Sequence, residues 1–368
     1  MNPAIAPGRL VLPFFRRGAR CLASISGGDA RVTTSTSSSQ APSKRAQFRL
    51  VQPERRALEH LDALKLGFCA KRRMRVAVAR RMGDNEAKQL QISTPVQKIP
   101  YPFTEVGRPL YTAEAFEELR PKSGLIPEVA IIGRSNVGKS TLVNAILGYD
   151  SSFLQRAFVS PKPGATNQLH FYGLGRTKIV RDSASSSSVS SSLSSPPINK
   201  QQILRSSSMP PALVVVDMPG YGFAYLNEQE KLRCETLTYR YLIERGPSLK
   251  RVLLLLDARH GFKLIDKNFF QGLLTARNDV DEQQRQGGTN TTTKTKIRWQ
   301  LQLVLTKCDL IERMELARRM VVVQQQVTEM LPGLNVALSV IPVSGKESKG
   351  VTHIQKNLAS LVAPSEAN

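Results

Sequence analysis

The stretch EVAIIGRSNVGKSTLVNAIL, Glu128 to Leu147, holds an apolar run, a glycine-punctuated loop and a helical segment in immediate succession. The run Glu128–Gly133 does not alternate polar with apolar residues, which is the pattern of a strand buried on both faces of a parallel sheet. Gly133 to Ser140 then reads GRSNVGKS and fits G-x-x-x-x-G-K-[ST] at every position. Strand, loop and helix N-terminus in that order build a cradle for phosphates. The glycines let successive backbone N–H groups curl around the anion, and the helix adds the positive end of its dipole. In such a loop Lys139 reaches the β- and γ-phosphates and the Ser140 hydroxyl binds Mg2+. Gly133, Arg134, Ser135, Asn136, Val137, Gly138 and Thr141 complete the candidate phosphate-binding positions.

Working outward, short apolar runs recur at ALVVVD (Ala212–Asp217), RVLLLLD (Arg251–Asp257), LQLVLTK (Leu301–Lys307) and LSVIPVS (Leu338–Ser344). Helical patterns lie between or after them, as in the stripe Val351, Ile354, Leu358 and Leu361. The alternation predicts an α/β domain: a P-loop NTPase with a mostly parallel, doubly wound sheet and helices on both faces. In open sheets of this kind ligands sit outside the carboxyl ends of the strands, and the remaining motifs fall there. Asp217 ends its strand and can approach Mg2+ through a water. Met218 and Pro219 lead to Gly220, whose backbone N–H can face a γ-phosphate with no side chain in the way. Thr306, Lys307, Cys308 and Asp309 spell TKCD at the next strand end. The Asp309 carboxylate matches guanine's N1–H and exocyclic N2–H₂, which adenine cannot supply, and the Lys307 stem can lie along the base. Val343, Ser344 and Gly345 in VSGK offer backbone N–H groups to guanine O6. These elements together describe a site for GTP and GDP.

The segment that senses the γ-phosphate must lie between Ser140 and Asp217 and supply a threonine to Mg2+. SPKPGATNQLHFY (160–172) offers Thr166, flanked by Gly164, Ala165, Asn167 and Gln168. The rival, Thr177, lies beyond an expected strand, QLHFYGL. Lys139, Asn136 and Thr166 are the candidate catalytic residues, and Ser140, Thr166 and Asp217 the candidate metal ligands.

The 368-residue chain carries a formal charge of +23. Residues 1–100 hold 19 Lys/Arg against 6 Asp/Glu, so +13 of that excess lies there. Such a charge favours a polyanionic partner. Asp29 is the first acidic residue, after Arg9, Arg16, Arg17 and Arg20, and a Ser/Thr-rich stretch follows. This is the composition of an organellar transit peptide, taken as residues 1–45, with mitochondrion ahead of plastid. Residues 46–110 read as a basic extension, either a linker or an RNA contact through KRRMRVAVARR (Lys71–Arg81). The nucleotide domain is expected over 111–364, interrupted by low-complexity inserts at 182–211 and 279–296. Cys21, Cys69, Cys234 and Cys308 are isolated, against a zinc site or a disulfide framework. No apolar run approaches the length of a transmembrane helix. A monomer is expected.

PEVAIIGRSNVGKSTLVNAILG, GATNQ, DMPGYGFA and TKCD together resemble the EngB (YihA) family of P-loop GTPases, over about residues 111–364 apart from the inserts. The resemblance implies GTP hydrolysis in support of large ribosomal subunit assembly, hence contact with ribosomal RNA, and an organellar setting in eukaryotic members. Gly345 departs from it, standing where a small residue with a side chain is common. Tyr221 raises a further question, since many nucleotide hydrolases place a water-orienting glutamine after the glycine corresponding to Gly220. The resemblance implies that Asn136 can hold K+ against the phosphates; otherwise it bonds within its own loop. A switch or scaffold with negligible hydrolysis is the alternative function.

Overall fold

EVAIIG, apolar except for its first residue, is buried along its whole length as strand β2 (Glu128–Gly133). The computed structural model describes residues 43–67, 102–103, 105–120, 126–149, 167–175, 210–222, 227–286 and 297–362. All the elements below lie in one unit, Lys44–Asn368. β2 is the middle strand of a seven-stranded sheet. On one side stand β4 (Leu213–Asp217), β3 (Leu169–Leu174) and, at the edge, β1 (Arg108–Ala113). On the other stand β5 (Leu249–Asp257), β6 (Gln300–Thr306) and β7 (Val336–Pro342). The pairs β4–β2, β2–β5, β5–β6 and β6–β7 are parallel. β3 is antiparallel to both β1 and β4.

Successive residues of β2 point to opposite faces, and each face meets its own cover. Val129 and Ile131 pack with Leu142, Val143, Ile146 and Leu147 of α3 (Lys139–Leu147) and with Val351, Ile354 and Leu358 of α7 (Val351–Ala359). Ala130 and Ile132 lie in the opposite cluster. That cluster takes in α4 (Glu228–Glu244), α5 (Leu264–Gln286) and α6 (Arg313–Met330) through Leu237, Phe270 and Leu316. Each fully buried aliphatic side chain contributes roughly 1.5–3 kcal/mol, which is why strands with no polar face are stable only between two helical layers. The doubly wound α/β expectation therefore holds.

Two boundaries differ from expectation. The sheet begins at Arg108 rather than about 111, and part of the basic extension (46–110), read as a linker or an RNA contact, is folded onto the domain. There α1 (Lys44–Leu50) and α2 (Arg55–Ala63) lie against α6. Leu61 and Leu66 are fully buried in the core, Arg313 pairs with Asp62 at 3.0 Å, and Arg318 Nε donates to Val51 O. The second correction concerns the insert taken as 279–296. α5 continues through Gln286 and buries Asp281, because DVDEQQRQ contains no helix breaker before Gly287 and Gly288. The transit-peptide expectation (1–45) lies outside the described residues up to residue 42. Lys71–Arg81, most of 182–211, and 287–296 also lie outside them.

Candidate functional site

The carboxyl ends of the parallel strands meet at one edge of the sheet, and the loop after β2 lies among them. Asn136 (φ 61°) and Gly138 (φ 101°) take left-handed backbone conformations, open to glycine and to asparagine at lower cost than to most residues. Val137 is buried beneath the loop, and its carbonyl accepts from Thr306 Oγ1 at 2.6 Å. Thr306 thus fastens the end of β6 to the phosphate loop. Lys139 Nζ lies 2.5 Å from Asp217 Oδ1, and the two residues are 8% and 2% exposed. A phosphate arriving in the loop would compete with Asp217 for that ammonium. His170, opposite Asp217 in the β3–β4 register, is held below the usual histidine range by burial.

Met218–Gly220 leads from β4 onto the loop. A Cβ at Gly220 would come within 3.2 Å of Ser135 N, a tight contact with the loop backbone that glycine avoids. Tyr221 N donates to Gly133 O, and Ser135 N donates to Tyr221 O. The Tyr221 side chain turns into the core. Its hydroxyl donates to Asp266 Oδ1 at 2.7 Å and its ring stacks on Phe269 at 4.3 Å. Arg134 Nε stands 3.3 Å from the same carboxylate oxygen, and Arg134 Nη2 donates to Gly261 O. Burial pushes the Tyr221 hydroxyl well above its ordinary titration range. It also raises the Asp266 carboxyl, against hydrogen bonding from Tyr221 and the charge of Arg134.

On the base side, Lys307 (φ 57°) brings its amine to Asn136 O at 2.5 Å and to Asp257 Oδ2 at 3.1 Å. The amine thus ties the end of β6 to the phosphate loop and leaves the aliphatic stem running between them. Asp309 Oδ1 accepts from Ser344 Oγ at 2.8 Å, which fixes the carboxylate between the ends of β6 and β7. Cys308 is fully buried and donates its N–H to Val343 O, a packing role. The N–H groups of Val343 and Ser344, expected to face guanine O6, are engaged by Leu305 O and Lys349 O. Pairing at the end of β7 takes them, leaving Gly345 and Lys346 as the VSGK donors that can meet a base. A Cβ at Gly345 would lie 3.2 Å from Thr141 Cγ2, so the start of α3 leaves this position little room for a side chain.

Gln168 Nε2 donates to Glu114 Oε1 and the backbone carbonyl of Asn167 accepts from Cys234 Sγ, which ties this segment to the start of β3 and its neighbours. Gly164, Ala165, Thr166 and Thr177 lie outside the described residues. Two residues were missed. Asp257 binds Arg259 through both oxygens (2.9 and 2.7 Å) as well as Lys307. Burial alone would raise its carboxyl, but hydrogen bonds from Arg259 and Lys307 prevail and hold it well below the usual carboxylate range. Its signal was available, since it ends β5 as Asp217 ends β4. Asp266 had none, because its partners Tyr221 and Arg134 are far away in sequence.

The Ser140 hydroxyl and the Asp217 carboxylate are hard oxygen donors of the kind Mg2+ accepts. Among the described residues no cluster of three or more His, Cys, Asp or Glu side chains could hold a metal alone. The donor set therefore fits an ion held by one or two protein oxygens together with phosphate.

A phosphate loop between parallel strands, with its lysine and the β4 aspartate in contact, defines the class of P-loop nucleotide-binding proteins. The model of a family described as "50S ribosome-binding GTPase" matches residues 128–281. A protein of Rhodospirillum rubrum described as "Probable GTP-binding protein EngB" is 30% identical over 239 residues, covering 65% of this chain and 78% of that one. One of Nitrobacter winogradskyi with the same description is 30% identical over 266 residues, covering 70% and 93%. The chain belongs to the EngB family of GTP-binding proteins. Among solved structures, a "probable GTP-binding protein engB" aligns at 15% identity with a TM-score of 0.34, covering 64% of this chain and 98% of that one. Era in complex with MgGDPNP and nucleotides of 16S ribosomal RNA aligns at 18% identity with a TM-score of 0.36, covering 66% and 59%.

Proposed function

We propose that the protein is a Mg2+-dependent GTPase that assists assembly of an organellar large ribosomal subunit. The observation carrying the nucleotide part is that Asp309, fixed by Ser344, lies on the same sheet edge as the Lys139–Asp217 pair. A guanine reader and a phosphate cradle thus open together. Lys139 would neutralise the β- and γ-phosphates, and Gly220 N–H would face the γ-phosphate. Ser140, Asp217 through a water, and Thr166 would hold Mg2+, which when bound bridges the phosphates and offsets their developing charge. The ribosomal part is supported by the family description and by the +23 charge, since phosphate contacts give sequence-independent affinity for RNA. The Arg-rich first residues support import into the mitochondrial matrix, with the plastid as alternative, and the factor would act as a monomer.

Asn136 is exposed at the rim of the loop, and its side chain makes no hydrogen bond among the described residues. It is therefore open to hold K+ beside the phosphates, where added positive charge stabilises the transition state. GTP turnover is expected to be faster in potassium than in sodium buffer; equal rates would remove Asn136 from catalysis.

The deciding experiment is sedimentation of the protein with organellar ribosomal subunits in a non-hydrolysable GTP analogue or in GDP. Selective binding to large subunits with the analogue is expected. Absence of binding in both states would sink the assembly reading. A nucleotide switch with negligible hydrolysis is favoured by one observation, the Tyr221 side chain bonded to Asp266. Single-turnover hydrolysis with and without large subunits separates the two readings.

A further inference from the structure

A cavity of about 630 Å³ opens between α1, α6 and the loop that follows β5. Four arginines line it from two helices: Arg45, Arg49, Arg318 and Arg319. Glu312 and Glu315 oppose them, leaving the cavity net positive. Arg45 and Arg49 are exposed and form no ion pair among the described residues. Arg318 gives only its Nε to a backbone carbonyl.

Arg319 is the most informative of the four. Its guanidinium lies 4.5 Å over the Phe48 ring, and its buried Nε has no hydrogen-bond partner among the described residues. Its nearest carboxylate, on Glu315, is 3.8 Å away, beyond hydrogen-bond distance. Burial keeps its titration below the usual arginine value. A half-buried cation with an unmet donor, in a cavity lined by further cations and two phenylalanines, is suited to a planar, anionic ligand.

We infer that this groove takes a nucleotide of single-stranded RNA, its phosphate among the arginines and its base against Phe48, Phe262 or an arginine plane. The inference rests on the reading of the protein as an RNA-associated assembly factor. The volume falls within the range of small-ligand sites and suits one nucleotide rather than a duplex. Cationic grooves with aromatic platforms are how proteins hold single strands, with stacking worth about 1–3 kcal/mol per base. An acidic protein segment would satisfy the charges but would leave the rings unused.

The test is fluorescence anisotropy of a short oligouridylate with the full chain across a salt series. It compares the wild type with Arg45→Glu/Arg49→Glu and with Arg319→Gln. Melting temperature serves as a control for every variant, and GTP affinity for the double variant, whose residues on α1 lie outside the nucleotide site. For single strands the slope of log K against log salt is about 0.7 per neutralised phosphate, so losing the one phosphate seated among the arginines should lower it by about 0.7 in the double variant. At fixed salt its affinity should fall at least tenfold. Arg319→Gln should weaken binding as well, and 4-thiouridine crosslinks should map to α1 and α6 and fade in the variants. Unchanged slope and affinity in the variants, or crosslinks confined to 68–100, would overturn the inference. Wild-type protein that sediments with large subunits while the variants still bind RNA normally would defeat the groove alone. Groove-dependent RNA binding without any sedimentation would defeat the assembly reading alone.

Discussion

Tyr221 follows Gly220 in the chain, yet its hydroxyl is bonded to Asp266 inside the core. Swinging the ring toward the phosphates would break that bond, give up the stack on Phe269 and leave a carboxylate that is 0% exposed short of a donor. A buried group left unsatisfied costs about 1–3 kcal/mol, so the ring stays where it is. Tyr221→Phe is expected to lower the unfolding free energy by that amount in urea titrations. Tyr221→Gln should leave single-turnover GTP hydrolysis no faster, since the backbone at 221 directs its side chain inward; a several-fold acceleration would contradict this. Asp257 and Asp266 have opposite pH signatures. The folded-state titration of Asp257 is depressed, so its contribution is present above the unfolded value of about 3.9 and is lost as pH falls. That of Asp266 is raised, so its contribution is present below the unfolded value and is lost as pH rises through the folded one. Asp257→Asn should therefore be less stable than wild type at neutral pH. The gap should narrow as pH drops below about 4, followed by thermal melts across pH.

At the level of elements, the parallel strands and α3 were legible because their signals are local. An unbroken apolar run marks a strand covered on both faces, and GRSNVGKS needs no distant partner to be recognised. The helices α1 and α2 were not legible, because KRAQFRL and RRALEHLDA bury few residues within a highly charged surface. Leu61 is buried by α6, some 250 residues further along the chain, as the Arg313–Asp62 pair with its sequence separation of 251 illustrates. The N–H groups of Val343 and Ser344 escaped for the same reason, since only the folded pairing shows that Leu305 O and Lys349 O engage them. If α2 is part of the core, Leu61→Ala should behave as a core truncation and cost about 2–5 kcal/mol. Were residues 46–110 merely a linker, the cost would be near zero, and equilibrium unfolding distinguishes the two.

Across the whole molecule, residues from Gly133 to Ser344 converge because every parallel strand ends at the same edge of the sheet. The chain after β5 then links that edge to the arginine-lined groove. On the nucleotide side Asp257 holds Lys307 over Asn136, and Gly261 O holds Arg134. On the groove side His260 and Phe262 form a wall, and Arg319 passes so close to Gly261 that a Cβ there would meet Cδ at 3.0 Å. A ligand that shifts Arg319 must therefore bear on the residues placing Arg134 and Lys307. By linkage, RNA in the groove and a GTP analogue in the loop should change each other's affinity by one and the same factor, about 5–150-fold for a typical coupling. Gly261 has φ 66°, which strains any side chain, and a methyl group there would press on Arg319 Cδ at 3.0 Å, so Gly261→Ala should displace the shared turn and shrink that factor. Titrating the analogue with and without saturating oligouridylate, and the reverse, measures it. A wild-type factor of one in both directions would mean that the turn carries no signal between the two sites.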